Sequence, residues 1–278
     1  MIARPKYRKD ITNGGVDLRP GSLPELKPAT VGDRMPGSTV LMPFVDKLAT
    51  HTALSQRDRD AILELPHSVV RRAAGRYIFR EGDKPAHCAI MLSGYACRHK
   101  ILADGSRQIL AFHIRGDGMD LQNALLVHMD HSIQALTDVQ TALVPAEAVR
   151  ELAAENPAIS RAMWIETLID SSIQREWIVN VGRRDARSRI AHLLCELAIR
   201  QEGAGLGTRD LLFLPLTQEQ LADATGLSLV HVNRVLKTLA SEALLVRERH
   251  QVRFPSWPAL TQAAQFTPDY LHPVQNTV

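Results

Sequence analysis

Residues 216–239 constrain the fold more than any other stretch, because they encode the starts and ends of two short helices. They read LTQEQLADATGLSLVHVNRVLKTL. Thr217 can accept a hydrogen bond from the third backbone N–H beyond it, and Gln220 can bond back, which is the sequence form of a capping box. Gly226 allows a left-handed helix exit, and Ser228 can cap a second helix. Two capped helices joined by a glycine-containing turn predict a helix-turn-helix.

The second of these helices has two contrasting faces. Its apolar face, spaced for packing on a core, consists of Val232, Val235, Leu236 and Leu239. Its opposite face consists of Val230, Asn233, Arg234 and Lys237. An amide, a guanidinium and an ammonium group are donors suited to base edges and phosphates. This favours nucleic-acid binding, with an ordinary solvated helix as the alternative.

Basic residues gather around this motif although the chain as a whole is nearly neutral. The 278 residues carry a net charge of only +3, and the 45% hydrophobic content suffices for two domains with real cores. One basic cluster precedes the motif and another follows it: Arg183, Arg184, Arg187 and Arg189, then Arg247, Arg249 and Arg253. Such a concentration in one third of the chain is typical of a nucleic-acid-binding face.

The cysteines and the hydropathy pattern indicate a cytoplasmic location. Cys88, Cys97 and Cys195 form no CxxC pair and no even disulfide set, which suits a reducing compartment. No apolar run approaches the roughly 18 residues of a membrane span, and no apolar segment typical of a secretion signal follows the basic start. A redox role for Cys88 and Cys97, which lie in successive apolar runs, is an alternative to simple burial.

The first half of the chain has the pattern of an antiparallel β domain. Residues 1–40 are rich in proline and glycine, which predicts a flexible arm, and residues 41–64 predict one or two short helices. Short apolar runs separated by glycine turns follow, up to the run Ile133–Val144, and predict a sandwich or barrel-like fold. Asp104-Gly105 between two such runs is the strongest hairpin signal.

A long helix follows, and then a second domain. The pattern predicts a helix from Pro157 to about Arg183 that is apolar over a wide arc, so it must bury two faces. One face would pack on the β domain and the other on a second copy of the chain; a core helix of a monomer is the alternative. The second domain is predicted to be a winged helix-turn-helix. Besides the motif it contains a helix over Asp185–Arg200, a strand at Leu211–Leu214 and a hairpin after the motif.

Seven short motifs occur in one collinear order: YIFREGD (77–83), LSGYA (92–96), DGSRQIL (104–110), GD (116–117), DARSRIA (185–191), TQEQLA (217–222) and GLSLVHVNR (226–234). In this order the chain resembles the CRP/FNR family of bacterial transcription regulators over about residues 42–256. The resemblance implies an α+β fold with a cyclic-nucleotide-binding-like antiparallel β-roll, a long dimerisation helix and a C-terminal winged helix-turn-helix.

The resemblance also implies domain boundaries. They are a flexible arm over 1–40, a β-roll effector domain over 41–150, a dimerisation helix over 151–184, a DNA-binding domain over 185–258 and a C-terminal tail over 259–278. The expected dimer contacts are Ile165, Leu168, Ile169, Ile173 and Trp177.

The effector-binding part departs from the family pattern. Members that bind cyclic AMP carry Gly-Glu and Arg-Ser pairs there, whereas this chain has Gly-Met-Asp-Leu at 118–121 and Asp-His-Ser at 130–132. The corresponding pocket residues are Gly118, Asp120, Leu121, His131 and Ser132. A cyclic phosphate needs a cation that stays charged near neutral pH, and histidine replaces arginine poorly in that role. We therefore predict that cyclic AMP is not the effector.

The sequence leaves the identity of the effector undecided among several classes. An FNR-type iron–sulfur cluster needs four cysteines, and this chain has 3, so no such cluster is expected. His113, His128 and His131 leave a haem- or metal-gated sensor as an alternative, although no metal-ligand set is assigned. The remaining alternatives are another small ligand, or a regulator without an effector that is controlled by its abundance.

The resemblance assigns roles on DNA as well. Arg234 matches the family's base-reading arginine, Asn233 is expected on adenine or phosphate, Lys237 on phosphate, and Val230 on an apolar base edge. The further expected contacts are Thr217, Ser228, His231, Arg247 and Arg249. The implied partners are double-stranded DNA, RNA polymerase and a second copy of the chain, with no membrane. No G-x-S-x-G, H-E-x-x-H or phosphate-loop motif is present, so no enzyme activity is expected.

Overall fold

Two short helices precede the first strand in the computed structural model, which describes residues 39–273. They are α1 (Met42–Ala49) and α2 (Gln56–Leu63). Ser55 begins α2 with a capping box, because its hydroxyl accepts the backbone N–H of Asp58 and the Asp58 carboxylate bonds back. Most of the predicted arm, and the tail from residue 274, lie outside the described residues.

Eight strands form two four-stranded antiparallel sheets, which confirms the predicted β-roll. The strands are β1 (Ser68–Arg72), β2 (Tyr77–Phe79), β3 (His87–Ser93), β4 (Ala96–Ile101), β5 (Arg107–His113), β6 (Gly118–Met119), β7 (Ser132–Ala135) and β8 (Val139–Pro145). The sheet orders are β1-β8-β3-β6 and β2-β7-β4-β5. Buried apolar side chains from both sheets, including Ile78, Met91 and Ile133, form the core between them.

Two turns that contain glycine connect neighbouring strands of the roll. Asp104-Gly105 closes the β4–β5 hairpin as predicted, with Gly105 at φ +84° and Ile101 opposite Arg107. Gly94 turns β3 into β4 at φ +87°, and a Cβ there would clash with the backbone oxygen of Asp138. Only glycine therefore fits the second turn.

The run Ile133–Val144 is two strands rather than one. Between β7 and β8 the chain turns at Thr137, whose hydroxyl accepts the backbone N–H of Tyr95 at 2.9 Å. The two strands belong to different sheets. A local apolar pattern cannot reveal this change of sheet, because both halves of the run are buried.

Three helices lead out of the roll. They are α3 (Ala146–Glu155), α4 (Pro157–Arg183) and α5 (Ala186–Gly203). Asn156 separates the first two with extended backbone, as the residue before a proline prefers. The helix α4 has the predicted bounds, while residues 151–155 belong to α3. Asp185 caps α5 by accepting the backbone N–H groups of Arg187 and Ser188.

The second domain is a winged helix-turn-helix, as predicted. Its elements are β9 (Leu211–Phe213), α6 (Gln218–Thr225), α7 (Leu229–Ser241), β10 (Val246–Glu248) and β11 (Gln251–Arg253), with sheet order β10-β11-β9. The buried face of α7 consists of the four residues that the spacing indicated, Val232, Val235, Leu236 and Leu239.

The roll and the winged domain share one apolar core. Tyr95, Ile109 and Phe112 of the roll pack in the same cluster as side chains of α5, α6 and α7. At its edge, Arg107 on β5 binds Asp223 on α6 with an Nε–Oδ2 distance of 2.7 Å. These contacts fix the position of the helix-turn-helix relative to the β4–β5 hairpin.

Part of the unassigned tail also belongs to the core. The helix α8 (Trp257–Ala264) packs on α5, and a 3₁₀ turn follows at Asp269–Leu271. The Tyr270 hydroxyl donates to the Glu196 carboxylate at 3.0 Å, and Trp177 Nε1 on α4 donates to the same group at 2.9 Å. Glu196 thereby links α4, α5 and the segment after the wing, and its burial raises the pKa of the carboxyl group.

We expect stability to fall as the pH drops from 6.5 toward 4. Burial lowers the pKa of His192 from 6.5 to about 4, and that of His113 equally. In this window the unfolded chain binds protons that the buried rings do not, so protonation favours unfolding; above pH 6.5 the full stability is present. The raised pKa of Glu196 acts in the opposite direction. Urea unfolding at several pH values measures the net slope.

The variant His192→Gln provides the comparison for this slope. Glutamine keeps a polar side chain but cannot take up the proton, so the pH dependence should be flatter than in the wild type. Parallel curves for the two proteins would contradict the assignment.

Candidate nucleic-acid interface and effector site

The helix-turn-helix is set by short-range hydrogen bonds. Thr217 Oγ1 accepts the backbone N–H of Gln220 at 3.1 Å, and Gln220 Oε1 accepts that of Thr217 at 2.9 Å. Gly226 ends α6 at φ +64°, and Ser228 Oγ accepts the N–H of His231 at 3.3 Å. The capping box, the left-handed exit and the second cap predicted from the sequence are all present.

The outer face of α7 is open to solvent at its start and along its polar side. Ser228, Val230, Arg234 and Lys237 are exposed, with Val230 at 80%, whereas His231 is half-buried. Neither Arg234 nor Lys237 has an ion-pair partner among residues 39–273. A free guanidinium and a free ammonium on one helix face can bind a guanine edge and a phosphate without first breaking an internal contact.

Asn233 differs from its neighbours on this face because it is already bonded. Its Nδ2 donates to Gln218 Oε1 at 3.0 Å, which joins α7 to the first residue of α6. The amide is half-buried and held in one orientation, so Arg234 is the freer donor. Nothing in the sequence indicated this role of Gln218 beyond its position after the Thr217 cap.

The two basic clusters that flank the motif have different environments. Arg247 lies on β10 and Arg249 at the tip of the wing, both exposed, as phosphate contacts would be. Three of the four arginines before the motif are instead used internally. Arg184 pairs with a carboxylate on α4, Arg187 binds Glu242 with an Nε–Oε2 distance of 2.8 Å, and Arg189 donates to the carbonyl of Thr225 at 2.8 Å.

The two apolar faces of α4 have unequal surroundings. Ile169, Ile173 and Trp177 are buried against the chain's own core, and Ile165 is half-buried. Of the five expected dimer contacts only Leu168 is exposed, at 55%. The exposed apolar side chains of α4 are Trp164, Leu168, Ile178 and Val179. Apart from Leu168, the exposed apolar side chains of α4 are therefore different residues from the five predicted dimer contacts.

Two predicted effector residues bind each other. His131 Nε2 lies 3.0 Å from each Asp120 oxygen, and His131 Nδ1 lies 2.7 Å from Asp130 Oδ1. Arg98 on β4 donates to Asp120 Oδ1 at 3.1 Å and to Asp170 Oδ2 on α4 at 2.8 Å. Burial raises the pKa of Asp120, but the His131 hydrogen bond and the Arg98 charge outweigh it and hold that pKa below its usual value.

The other three predicted effector residues take part in the backbone structure of the roll. Ser132 Oγ accepts the backbone N–H of Glu81 at 3.0 Å. Gly118 pairs with Ile90 between β6 and β3, and Leu121 begins a 3₁₀ turn. No sequence signal pointed to Arg98, because its strand, Ala-Cys-Arg-His-Lys-Ile at 96–101, also carries His99 and Lys100.

The residues between the roll and α4 do not fit a cyclic nucleotide. The cavity there measures about 60 Å³, whereas sites for small organic ligands span roughly 300–1,000 Å³. Every lysine and arginine that lines it is in an ion pair: Lys47 and Arg200 lie 3.5 and 2.9 Å from Asp117, and Arg98 is bound as above. A cyclic phosphate would meet the buried Asp120 carboxylate and no free cation.

The described histidines and cysteines form no metal-ligand cluster, and the thiols of Cys88 and Cys97 are not activated. Within residues 39–273 there is no group of three His, Cys, Asp or Glu side chains that could hold a metal ion. His113 and His131 are buried, whereas His128 is exposed. Burial raises the pKa of Cys88 and Cys97 to about 12, which is the opposite of what a reactive thiol needs.

Family models match both domains. A cyclic nucleotide-binding domain model matches residues 69–156, and a Crp-like helix-turn-helix domain model matches residues 188–263. The nitrogen fixation regulation protein FixK of Bradyrhizobium diazoefficiens is 30% identical over 197 residues, which is 69% of this chain and 81% of the relative. The transcriptional activator protein FnrL of Cereibacter sphaeroides is 29% identical over 187 residues, covering 64% and 73%.

Solved structures agree with this fold. FixK2 of Bradyrhizobium japonicum matches with a TM-score of 0.66 at 24% identity, over 72% of this chain and 98% of that chain. The global regulator CLP of Xanthomonas campestris matches with a TM-score of 0.59 at 18% identity, over 73% and 100%. No helix between residues 39 and 273 is long and apolar enough to cross a membrane.

Proposed function

Since this chain belongs to the CRP/FNR family and is a DNA-binding transcription regulator of that type, we propose that it binds a near-palindromic operator as a homodimer. The observation that carries this proposal is the solvent-open face of α7, where Arg234 and Lys237 have no ion-pair partner within the described residues 39–273. The protein would act in the cytoplasm on double-stranded DNA, contact RNA polymerase there and catalyse no reaction.

The exposed side of α4 supports the homodimer. Trp164, Leu168 and Ile178 fall within an arc of about 80° at 100° per residue, so they form one stripe, which the exposed polar side chains of Ser171 and Arg175 interrupt between Leu168 and Ile178. Single exposed apolar residues are ordinary, but a stripe along a 27-residue helix is typical of a helix–helix interface. Pairing two copies along it would present two α7 helices to successive major grooves, about 34 Å apart.

The division of roles on DNA follows from what each side chain offers. Arg234 would grip guanine O6 and N7 together, while Lys237, Thr217, Ser228, Arg247 and Arg249 would bind phosphates and set the register. Val230 offers only an apolar surface, which suits a thymine methyl group, and half-buried His231 would lie beside it. Asn233, held by Gln218, would contribute through its carbonyl oxygen. Cyclic AMP would play no part, because the cavity and its charges oppose it.

Selection from a random DNA pool tests this function. Purified protein should enrich sequences with two inverted half-sites whose centres lie about one helical turn apart, with a guanine at a fixed position in each. A single half-site, or no enrichment over the starting pool, would contradict the proposal. The variant Arg234→Ala, carried through the same selection, shows whether enrichment depends on the α7 face.

A further inference from the structure

The position of the effector is filled by the chain's own charges. In the roll, Asp120 stands where the family pattern has a glutamate for the ligand, and His131 stands where it has an arginine. These two side chains lie 3.0 Å apart and bind each other. The side chain of Asp120 is 0% exposed and that of His131 is 6% exposed. A small effector would have to separate them.

The backbone at Asp120 is shaped to keep this carboxylate inside. Its φ and ψ are 54° and 52°, a left-handed conformation that few residues other than glycine, asparagine and aspartate adopt. The residue stands directly before a 3₁₀ turn and is buried, at 2% exposure. The carboxylate is a fixed part of the fold.

Arg98 connects this internal anion to the long helix. Its guanidinium is 9% exposed and binds two carboxylates at once, Asp120 in the roll at 3.1 Å and Asp170 on α4 at 2.8 Å. Asp170 is 42% exposed, so solvent reaches the chain of contacts at α4, as it does at Asp130 beyond His131, which is 79% exposed. A planar guanidinium with fixed donors transmits position between two carboxylates better than a flexible ammonium does.

We propose that the Asp120–His131 pair occupies the effector position, and that Arg98 is the positioning residue through which Asp120 holds α4, so that operator binding needs no small ligand. The inference rests on the proposed function, because the position of α4 sets the spacing of the two α7 helices. Two further pairs, Lys47–Glu166 and Arg200–Asp117, also tie α4 and α5 to the roll, so loss of Asp170 weakens the arrangement without abolishing it.

The experiment compares Asp170→Asn with the wild type on the selected operator and on unrelated DNA. The substitution leaves the Arg98–Asp120 pair in place and removes the negative charge from its link to α4, while the amide oxygen can still accept a hydrogen bond. We expect operator affinity to fall about tenfold, within the usual range of coupling between separated sites, while affinity for unrelated DNA is unchanged. Asp170→Glu should restore most of the loss. Glu151→Gln, which removes an exposed carboxylate on α3 that has no ion-pair partner among residues 39–273, is the matched control and should behave as the wild type.

Ligand dependence is measured on the wild type in the same assay. Operator binding should be the same without additive and with millimolar cyclic AMP or cyclic GMP, and native mass spectrometry should find only the mass of the polypeptide or whole multiples of it, with no added ligand mass. Binding that requires either nucleotide, or wild-type affinity in Asp170→Asn, would overturn the inference. A wild-type protein that selects no DNA sequence would instead overturn the proposed function, and with it the premise of this inference. If the Arg98–Asp170 ion pair only stabilised the fold, Asp170→Asn would have a lower melting temperature, but the ratio of its affinity for the operator to its affinity for unrelated DNA would not change.

Discussion

Arg234→Ala is expected to weaken binding to the selected operator by about 1–3 kcal/mol, or roughly 5- to 150-fold. The guanidinium is exposed on α7 and has no internal partner among the described residues, so its removal costs contacts with DNA and leaves the fold unchanged. A bidentate contact with guanine distinguishes one base pair, and its loss should therefore flatten discrimination at one position of each half-site. Fluorescence anisotropy on the operator and on single-base variants of it measures both effects.

Lys237→Ala is the matched control for this prediction. Lysine offers a point charge suited to phosphate, so its loss should weaken all sequences evenly and reduce the salt slope by about 0.9. Both residues are exposed on the same helix, which makes differences in folding small. If the two variants gave the same pattern across the base substitutions, the division between base reading and phosphate contact would be wrong.

Leu168→Glu is expected to separate the proposed dimer and to reduce operator affinity by about 10²- to 10⁴-fold, the range that linking two binding modules supplies. Leu168 is 55% exposed in the single chain, so a charged side chain there does not disturb the chain's own core. In the dimer it would place like charges from two copies at the centre of an apolar seam, where they cannot be hydrated. Light scattering after gel filtration gives the mass, and anisotropy gives the affinity.

A control variant distinguishes this effect from a general effect of added charge. Val69 is similarly exposed, at 47%, but lies on the edge strand β1 of the roll. Val69→Glu should remain a dimer and bind the operator as the wild type does. A Leu168→Glu protein that still has the mass of a dimer would show that the open stripe of α4 is not the interface.

Features that depend on residues a few positions apart could be predicted from the sequence. The capping box at Thr217, the left-handed exit at Gly226 and the Ser228 cap each join residues within three or four positions. The β4–β5 hairpin at Asp104-Gly105 and the start of α4 at Pro157 are equally local. Because turn and cap chemistry is set by neighbouring side chains and by φ preferences, the order and type of the elements could be read before any tertiary contact was known.

The tertiary structure decided which face of α4 is buried and which distant polar side chains bind each other. The wide apolar arc of α4 indicated two buried faces, but only the packing of α5 and the roll determines that Ile169, Ile173 and Trp177 are internal. Arg98 meets Asp120 and Asp170 across 22 and 72 positions, and Tyr270 meets Glu196 across 74. Spacing along the chain carries no information on such pairs.

The sequence by itself therefore determined the two-domain architecture, the helix-turn-helix and the residues of its outer face. Only the tertiary structure decided what fills the effector position. Residues 118–121 and 130–132 indicated a site without its arginine, and the fold supplied one from another strand, already bound to a carboxylate. The physical reason is that a buried charge is stable only when it is paired, and its partner is selected by proximity in the fold rather than in the sequence.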